Sequence, residues 1–218
     1  GLGVTGLGQS AVSYGGRLGY TDAGETPNTQ VCVFDFGGKT IISETRGLKT
    51  DPFHKTMDGS WLFYGTDGIS AHTSLFDPQG KLVSTFPGKA ESHVANFFKA
   101  IRSRKREELT AEILEGHQST SLCHIGNISW RLGRAASPAE IRETLIQMKL
   151  NDQVLETFDR TAKHLRDNEI DLEKSKLMLG PQLRLVADKE AFVGNPAADA
   201  LLTREYRKPF VVPAEGEV

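Results

Sequence analysis

The chain has 218 residues, of which 38% are hydrophobic and 25% charged, and a formal net charge of −2 at pH 7. That length can bury a sizeable core and the composition is that of a globular protein. The near-neutral charge gives no electrostatic case for nucleic acid or an anionic membrane, and no apolar run approaches the roughly 20 residues of a spanning helix. Two cysteines, Cys32 and Cys123, are too few for a disulfide framework or a metal cluster. Both sit among apolar or small residues, which predicts buried thiols.

The first six residues, Gly1-Leu2-Gly3-Val4-Thr5-Gly6, spell G-x-G-x-x-G. A dinucleotide-binding turn needs a buried strand before this pattern and a helix after it. The following QSAVSYGGRLGY, with its glycines and β-branched or aromatic residues, suits an extended segment and not that helix. The match is therefore read as a coincidence in a Gly-rich loop. Such a loop is expected to tolerate Ser or Ala better than a hairpin glycine pair does.

Residues 1–88 read as β. TQVCVFDF and KTIISETR are separated by Gly37-Gly38, a strong two-residue hairpin signal. SWLFYG, GISAHTSLF and KLVSTF continue a meander on short connections, which implies one antiparallel sheet. Val31, Val33 and Ile41 are expected on one face, with Cys32, Phe34, Phe36 and Ile42 on the other or straddling the turn.

ESHVANFFKAIRSRKR places Val94, Phe97, Phe98 and Ile101 at helical spacing, and its RSRKR end reads as a solvated, cation-rich last turn. A second helix is expected from about Ala111 to Leu132. On it His117, Ser121, His124 and Ile128 share one stripe, and the small residues Ser119, Cys123, Gly126 and Ser129 lie opposite. A small face predicts close approach to a sheet or another helix. SPAEIRETL has the N-cap, first-turn proline and capping-box spacing of a helix start. NDQVLETFDRTAKHLRDN reads as an amphipathic helix, and NPAADALLTREYRKPF as a short one stopped by Pro209. The expected fold is α+β: an open, mainly antiparallel sheet with helices on one face, formed by residues 1–136. Residues 137–218 are expected to be a helical and looped arm wrapping that domain.

Two helices cover only one sheet face, so a homodimer or homotetramer packed through the other apolar face is expected. His117 and His124 lie about 10 Å apart along a helix axis, too far to share one metal. His117 follows Gly116 and could present a polar ring at a cleft. The densest polar stretch, GGRLGYTDAGETPNTQ, holds Arg17, Tyr20 and Asn28 among glycines and Pro27. Loops of this composition make tight turns or present hydrogen-bonding groups to a ligand. No Ser-His-Asp set, phosphate-cradling loop or pair of catalytic carboxylates is read.

The stretch GGRLGYTDAGETPNTQVCVFDFGGKTIISETRG resembles the start of the C-terminal domain in bacterial members of the Gfo/Idh/MocA oxidoreductase family. HVANFFKAIRSRK, EGHQSTSLCHIGNISWRLGR, FDRTAKHLRDNEIDL and ALLTREYRKPFVVP continue the resemblance in order over nearly the whole chain. It implies an α+β domain that walls the substrate side of a cleft and builds an oligomer. A separate Rossmann domain in the family holds NAD or NADP and supplies a lysine from an E-K-P motif. The family's D-x-x-x-H-type catalytic motif and E-K-P are both absent from this sequence. The opening glycines resemble the linker after that catalytic helix.

No catalytic, cofactor-binding or metal-binding residue is therefore expected here. Arg17, Tyr20, Asn28 and His117 are expected to face a carbohydrate substrate. The parent protein is expected to transfer a hydride between NAD(P) and a sugar or polyol. Two alternatives stay open: redox-assisted glycoside hydrolysis on the same fold, and a non-catalytic oligomerisation or binding module. The first residue is not Met, so the natural start is expected to be missing; the protein is placed in the cytoplasm or, with an export signal upstream, in the periplasm.

Overall fold

The computed structural model describes residues 2–51, 61–88, 91–186, 189–213 and 216–217. In chain order its strands and helices are β1 (Ser10–Gly16), β2 (Thr29–Asp35), β3 (Thr40–Arg46), β4 (Leu62–Tyr64), β5 (Ile69–Ala71), β6 (Ser74–Phe76), β7 (Leu82–Thr85), α1 (His93–Ser103), α2 (Ile113–Arg131), β8 (Arg134–Ala136), α3 (Pro138–Gln147), α4 (Asp152–Asp167), β9 (Leu177–Leu179), β10 (Leu183–Arg184) and α5 (Pro196–Asp199). The fold is α+β with antiparallel sheets. It divides into two compact units, Gly1–Val4 with Lys49–Thr120, and Thr5–Leu48 with Ser121–Val218. The boundary falls within α2.

In the second unit β1 and β2 alternate between two buried faces. The strand order is β3-β2-β1-β9-β8, with β10 also on β1, and every pairing is antiparallel. Val12, Tyr14, Val31 and Val33 pack with Ile141 and Leu145 of α3 and Val154, Phe158, Ala162 and Leu165 of α4. Ala11, Cys32 and Phe34 face the other way, against Ile125 and Ile128 of α2 with Leu183, Phe192 and Ala198. Helices therefore cover both faces of this sheet, not one. The strands expected in a single meander also separate, because β4 to β7 form their own four-stranded sheet. Both corrections remove the uncovered five-strand face on which the expected sheet-to-sheet oligomer contact rested.

The hairpin turn sets the register. Gly37 and Gly38 have φ of 69° and 93°, values an L side chain rarely adopts. Phe36 N–H donates to Lys39 C=O at 2.8 Å, so Val33 faces Ile42 and Phe34 faces Ile41. Ile42 thus joins the Val31 and Val33 face and Ile41 joins Cys32 and Phe34, the reverse of the expectation. A two-residue loop pairs odd-numbered residues of β2 with even-numbered ones of β3. In the opening loop Gly3 and Gly6 take φ of 60° and 72°, a constraint that was not expected there, although Gly6 has open space around it. Gly8 has φ of 83°, and a Cβ there would stand 2.8 Å from the Asp35 carbonyl oxygen, because Gln9 N–H hydrogen-bonds that oxygen at 2.7 Å.

Residues 137–218 contribute core and sheet, not only a wrapping arm, and the expected break after residue 136 lies inside the second unit. Tyr14 pairs with Leu179 and Ala11 with Leu183, drawing β9 and β10 onto β1. These strands are too short to show a period of two. The α3 start is as its spacing predicts: Ser137 Oγ accepts from Glu140 N–H at 3.3 Å, and a Glu140 carboxylate oxygen accepts from Ser137 N–H at 2.8 Å. The small face of α2 makes the expected close approach along its second half. A Cβ on Gly126 would stand 2.5 Å from Cys32 Sγ, and Ser129 Oγ accepts from the buried Ser13 N–H at 3.0 Å. Cys32 is buried, but Cys123 lies on the exposed side of α2, so only one of the two thiols is buried as expected. The C-terminal helix is a single turn, Pro196–Asp199.

In the first unit GISAHTSLF breaks into two strands, β5 and β6, joined by a tight turn in which His72 takes φ of 50°. Ala71 and Phe76 are its buried apolar side chains among the described residues. The α1 helix forms as expected, yet its stripe of Val94, Phe97, Phe98 and Ile101 is exposed and Asn96 is the buried residue. No helix among the described residues is long and apolar enough to cross a membrane.

Candidate functional site

The loop joining β1 to β2 is built around Arg17. Its Nε donates to Asp22 Oδ1 at 2.6 Å, one terminal nitrogen bonds Asp22 Oδ2, and the other donates to the Thr26 carbonyl at 2.7 Å. Gly24 N–H donates to the same Asp22 Oδ1 at 3.0 Å. Hydrogen bonds from Arg17 and then from Gly24 hold the Asp22 carboxyl below the usual carboxylate range. A Cβ at Gly24 would meet the Arg17 guanidinium, which would have to shift from its place.

Asn28 closes the base of the loop. Its Nδ2 donates to Leu18 C=O at 2.8 Å and its Oδ1 accepts from Leu18 N–H at 3.0 Å. It is buried, and its own carbonyl accepts from Gly47 N–H at 2.7 Å. Tyr20 projects outward: it is 46% exposed, and the Arg17 guanidinium carbon lies 5.6 Å from its ring centroid. Arg17, Tyr20 and Asn28 thus share one loop, in which Asn28 and the Arg17 guanidinium are committed to its hydrogen bonds and Tyr20 presents a surface. His117 belongs to the first unit, on the exposed part of α2.

A second polar constellation escaped the sequence reading. It lies between β3 and α4 on the face of Val31 and Val33. Glu44 accepts from Arg160 at 2.9 Å through one oxygen and from Arg46 at 2.8 Å through the other. Arg160 also donates to Thr157 Oγ1 at 2.8 Å. Beside this network His164 Nε2 is buried without a hydrogen-bond partner, and the Tyr14 hydroxyl is buried next to Thr161. Burial first, and then the Glu44 charge, push the Tyr14 hydroxyl far above the ordinary tyrosine value. Burial and then Arg46 lower the His164 pKa against the opposing pull of Asp167 and Glu44. Tyr14 is therefore a neutral phenol and His164 a neutral imidazole at physiological pH. The available signal was Thr157, Thr161 and His164 on the same helical stripe as Val154, Phe158 and Leu165. Polar residues repeated on an apolar stripe mark a buried network.

Comparison of the chain with protein-family models, curated proteins and solved structures finds no match. A nicotinamide dinucleotide, implied by the family resemblance, does not fit the glycine run. Residues 2–9 lead into β1 and not into a helix, so no helix N-terminus faces a pyrophosphate there. Among the described residues no three His, Cys, Asp or Glu side chains are grouped to hold a metal ion.

Proposed function

We propose that this chain is the substrate-side and assembly domain of an NAD(P)-dependent oxidoreductase acting on a sugar, polyol or related carbohydrate. The ordered resemblance of its segments to the Gfo/Idh/MocA C-terminal domain supports the reading, and an α+β fold with an antiparallel sheet agrees with it. Hydride transfer and its acid/base pair are assigned to the family's other domain.

The observation that carries the substrate side is Tyr20. Its ring is exposed and backed by a guanidinium that Asp22 and Thr26 hold in place. A rigid aromatic face beside fixed polar groups suits a sugar ring, which has an apolar face and a polar rim. His117 stays in the proposal as a polar group on α2, with no contact assigned to it. The same reading carries a homodimer or homotetramer. The larger sheet is covered on both faces, and most of the exposed large apolar side chains lie in the first unit, Leu82, Val83, Phe86 and Phe97 among them.

Calorimetric titration with a panel of monosaccharides and polyols, and with NADH and NADPH, tests the assignment. Binding of at least one carbohydrate is expected, weakened tenfold or more by Tyr20→Ala and retained by Tyr20→Phe. No saturable binding of either nucleotide is expected. A nucleotide Kd tighter than about 100 µM, roughly −5.5 kcal/mol, would overturn the division of labour. Carbohydrate binding indifferent to Tyr20→Ala would overturn the role of the loop.

A further inference from the structure

His164 lies on the face of α4 that packs against the sheet and is 6% exposed. Its Nδ1 is 3.4 Å from Nδ2 of Asn168, the residue that caps α4, and that Nδ2 also donates to the His164 carbonyl at 2.9 Å. An amide nitrogen carries hydrogens, so Nδ1 is the acceptor and the ring proton resides on Nε2. Nε2 has no hydrogen-bond partner. The charged and titratable groups around the ring come from every packed element. Glu44 and Arg46 face it from β3, Asp167 belongs to its own helix, and Arg160 lies one turn earlier and is paired with Glu44. From β1 the Tyr14 hydroxyl completes the surroundings of Glu44.

We propose that His164, buried where α4 packs on the sheet, is a proton-sensitive latch whose protonation loosens α4. A proton on Nδ1 would set N–H against the Asn168 amide hydrogens at the helix cap, so the contact that closes α4 turns repulsive. It would also place a cation in a buried site that faces Arg46. Asp167, Glu44 and the helix C-terminus favour that cation. Glu44, however, is already shared between Arg46 and Arg160. Burial and Arg46 prevail, and the ring's pKa lies below the ordinary 6.5.

The sign follows from linkage. With α4 docked the ring resists a proton that the released ring accepts near pH 6.5. The stabilisation is complete above that pH and is lost as pH falls through it toward the docked value. Release of α4 uncovers Val12, Tyr14, Val31 and Val33.

Urea denaturation of the whole chain between pH 7.5 and 5, for wild type and His164→Gln, tests the latch. The wild-type folding constant is expected to fall relative to the variant by up to tenfold per pH unit below about 6.5, the slope of one linked proton. Hydrogen exchange, corrected for its intrinsic pH dependence, is expected to rise in α4 before β1 and β2. Parallel pH profiles for the two proteins would overturn the proposal, as would loss of protection that is uniform across α4 and the sheet. Should His164→Gln fail to fold, histidine NMR of the wild type decides. Titration of His164 well below the exposed histidines, together with α4 exchange, supports the latch, and titration near 6.5 overturns it.

Discussion

The two amphipathic helices α1 and α4 carry the same kind of pattern and use it in opposite ways. In α4 the apolar stripe of Val154, Phe158 and Leu165 is buried against the larger sheet, and Lys163 and Asp167 pair on the outside. In α1 the stripe of Val94, Phe97, Phe98 and Ile101 faces outward at 64, 54, 49 and 39% exposure. Its anchored side is polar. Asn96 donates to Glu91 and to the Glu108 carbonyl, and accepts from Thr110 N–H and Oγ1. The units that hold these helices differ accordingly. One builds two apolar clusters on either side of its sheet, and the other buries Ala71 and Phe76 with Leu62 against them among the described residues. An amphipathic pattern therefore fixes which residues share a face and leaves open whether that face is inside.

Core truncations should separate the two units most. Leu165→Ala removes a fully buried side chain from the α4 interface and is expected to cost about 2–5 kcal/mol. Phe97→Ala on α1 is expected to stay within about 0.5 kcal/mol, as for an exposed position. Urea midpoints at constant m-value measure both. Similar losses would show that the α1 stripe is covered in the folded protein and would erase the contrast.

The second prediction sharpens it along α2, whose halves belong to different units. Ser129→Ala leaves the buried Ser13 N–H without its acceptor and the Pro181 carbonyl without its donor, at a cost of about 1–3 kcal/mol. Ser119→Ala, on the exposed half, is expected to change stability by less than about 0.5 kcal/mol. Equal effects in melts of the two variants would mean that α2 is not clamped by its small face.

The smallest effect belongs to the start of α3. Ser137→Ala removes the cap and is expected to cost about 1 kcal/mol. Hydrogen bonds from the Ser137 backbone, then from Arg134 and the Ser137 hydroxyl, hold the Glu140 carboxyl down to about 2 from 4.5. A depressed carboxyl stabilises the fold above its unfolded value and loses that contribution as pH falls through 4.5 toward 2. In Ser137→Ala this acid-range loss should shrink. An unchanged acid limb in melts between pH 5 and 2 would show that the Ser137 hydroxyl does not help to hold Glu140 down.

The elements most legible in the sequence were those with local causes. The Gly37-Gly38 turn and the Ser137–Glu140 box each carry their reason within a few positions. The same holds for the polar loop around Arg17, where Asp22, Gly24 and Thr26 lie close enough in sequence to bind its guanidinium. That loop was recognised as polar and glycine-rich, but composition did not say that Asn28 would turn inward and Tyr20 outward. The Glu44–Arg160 pair was invisible, because its partners lie 116 positions apart.

By itself the sequence determined the α+β class, the β2–β3 hairpin, the capped start of α3 and which side chains share a face of α1 and of α4. Those features depend on turn chemistry, capping and periodicity, all of which act over a few residues. Tertiary structure alone decided that β4 to β7 separate from the larger sheet, that β9 and β10 join β1, and that α4 covers a face expected to be open. It also decided that the stripe of α1 faces outward. Each of those outcomes follows from competition for buried area between segments remote in the chain. Periodicity describes one segment at a time and holds no record of its competitors.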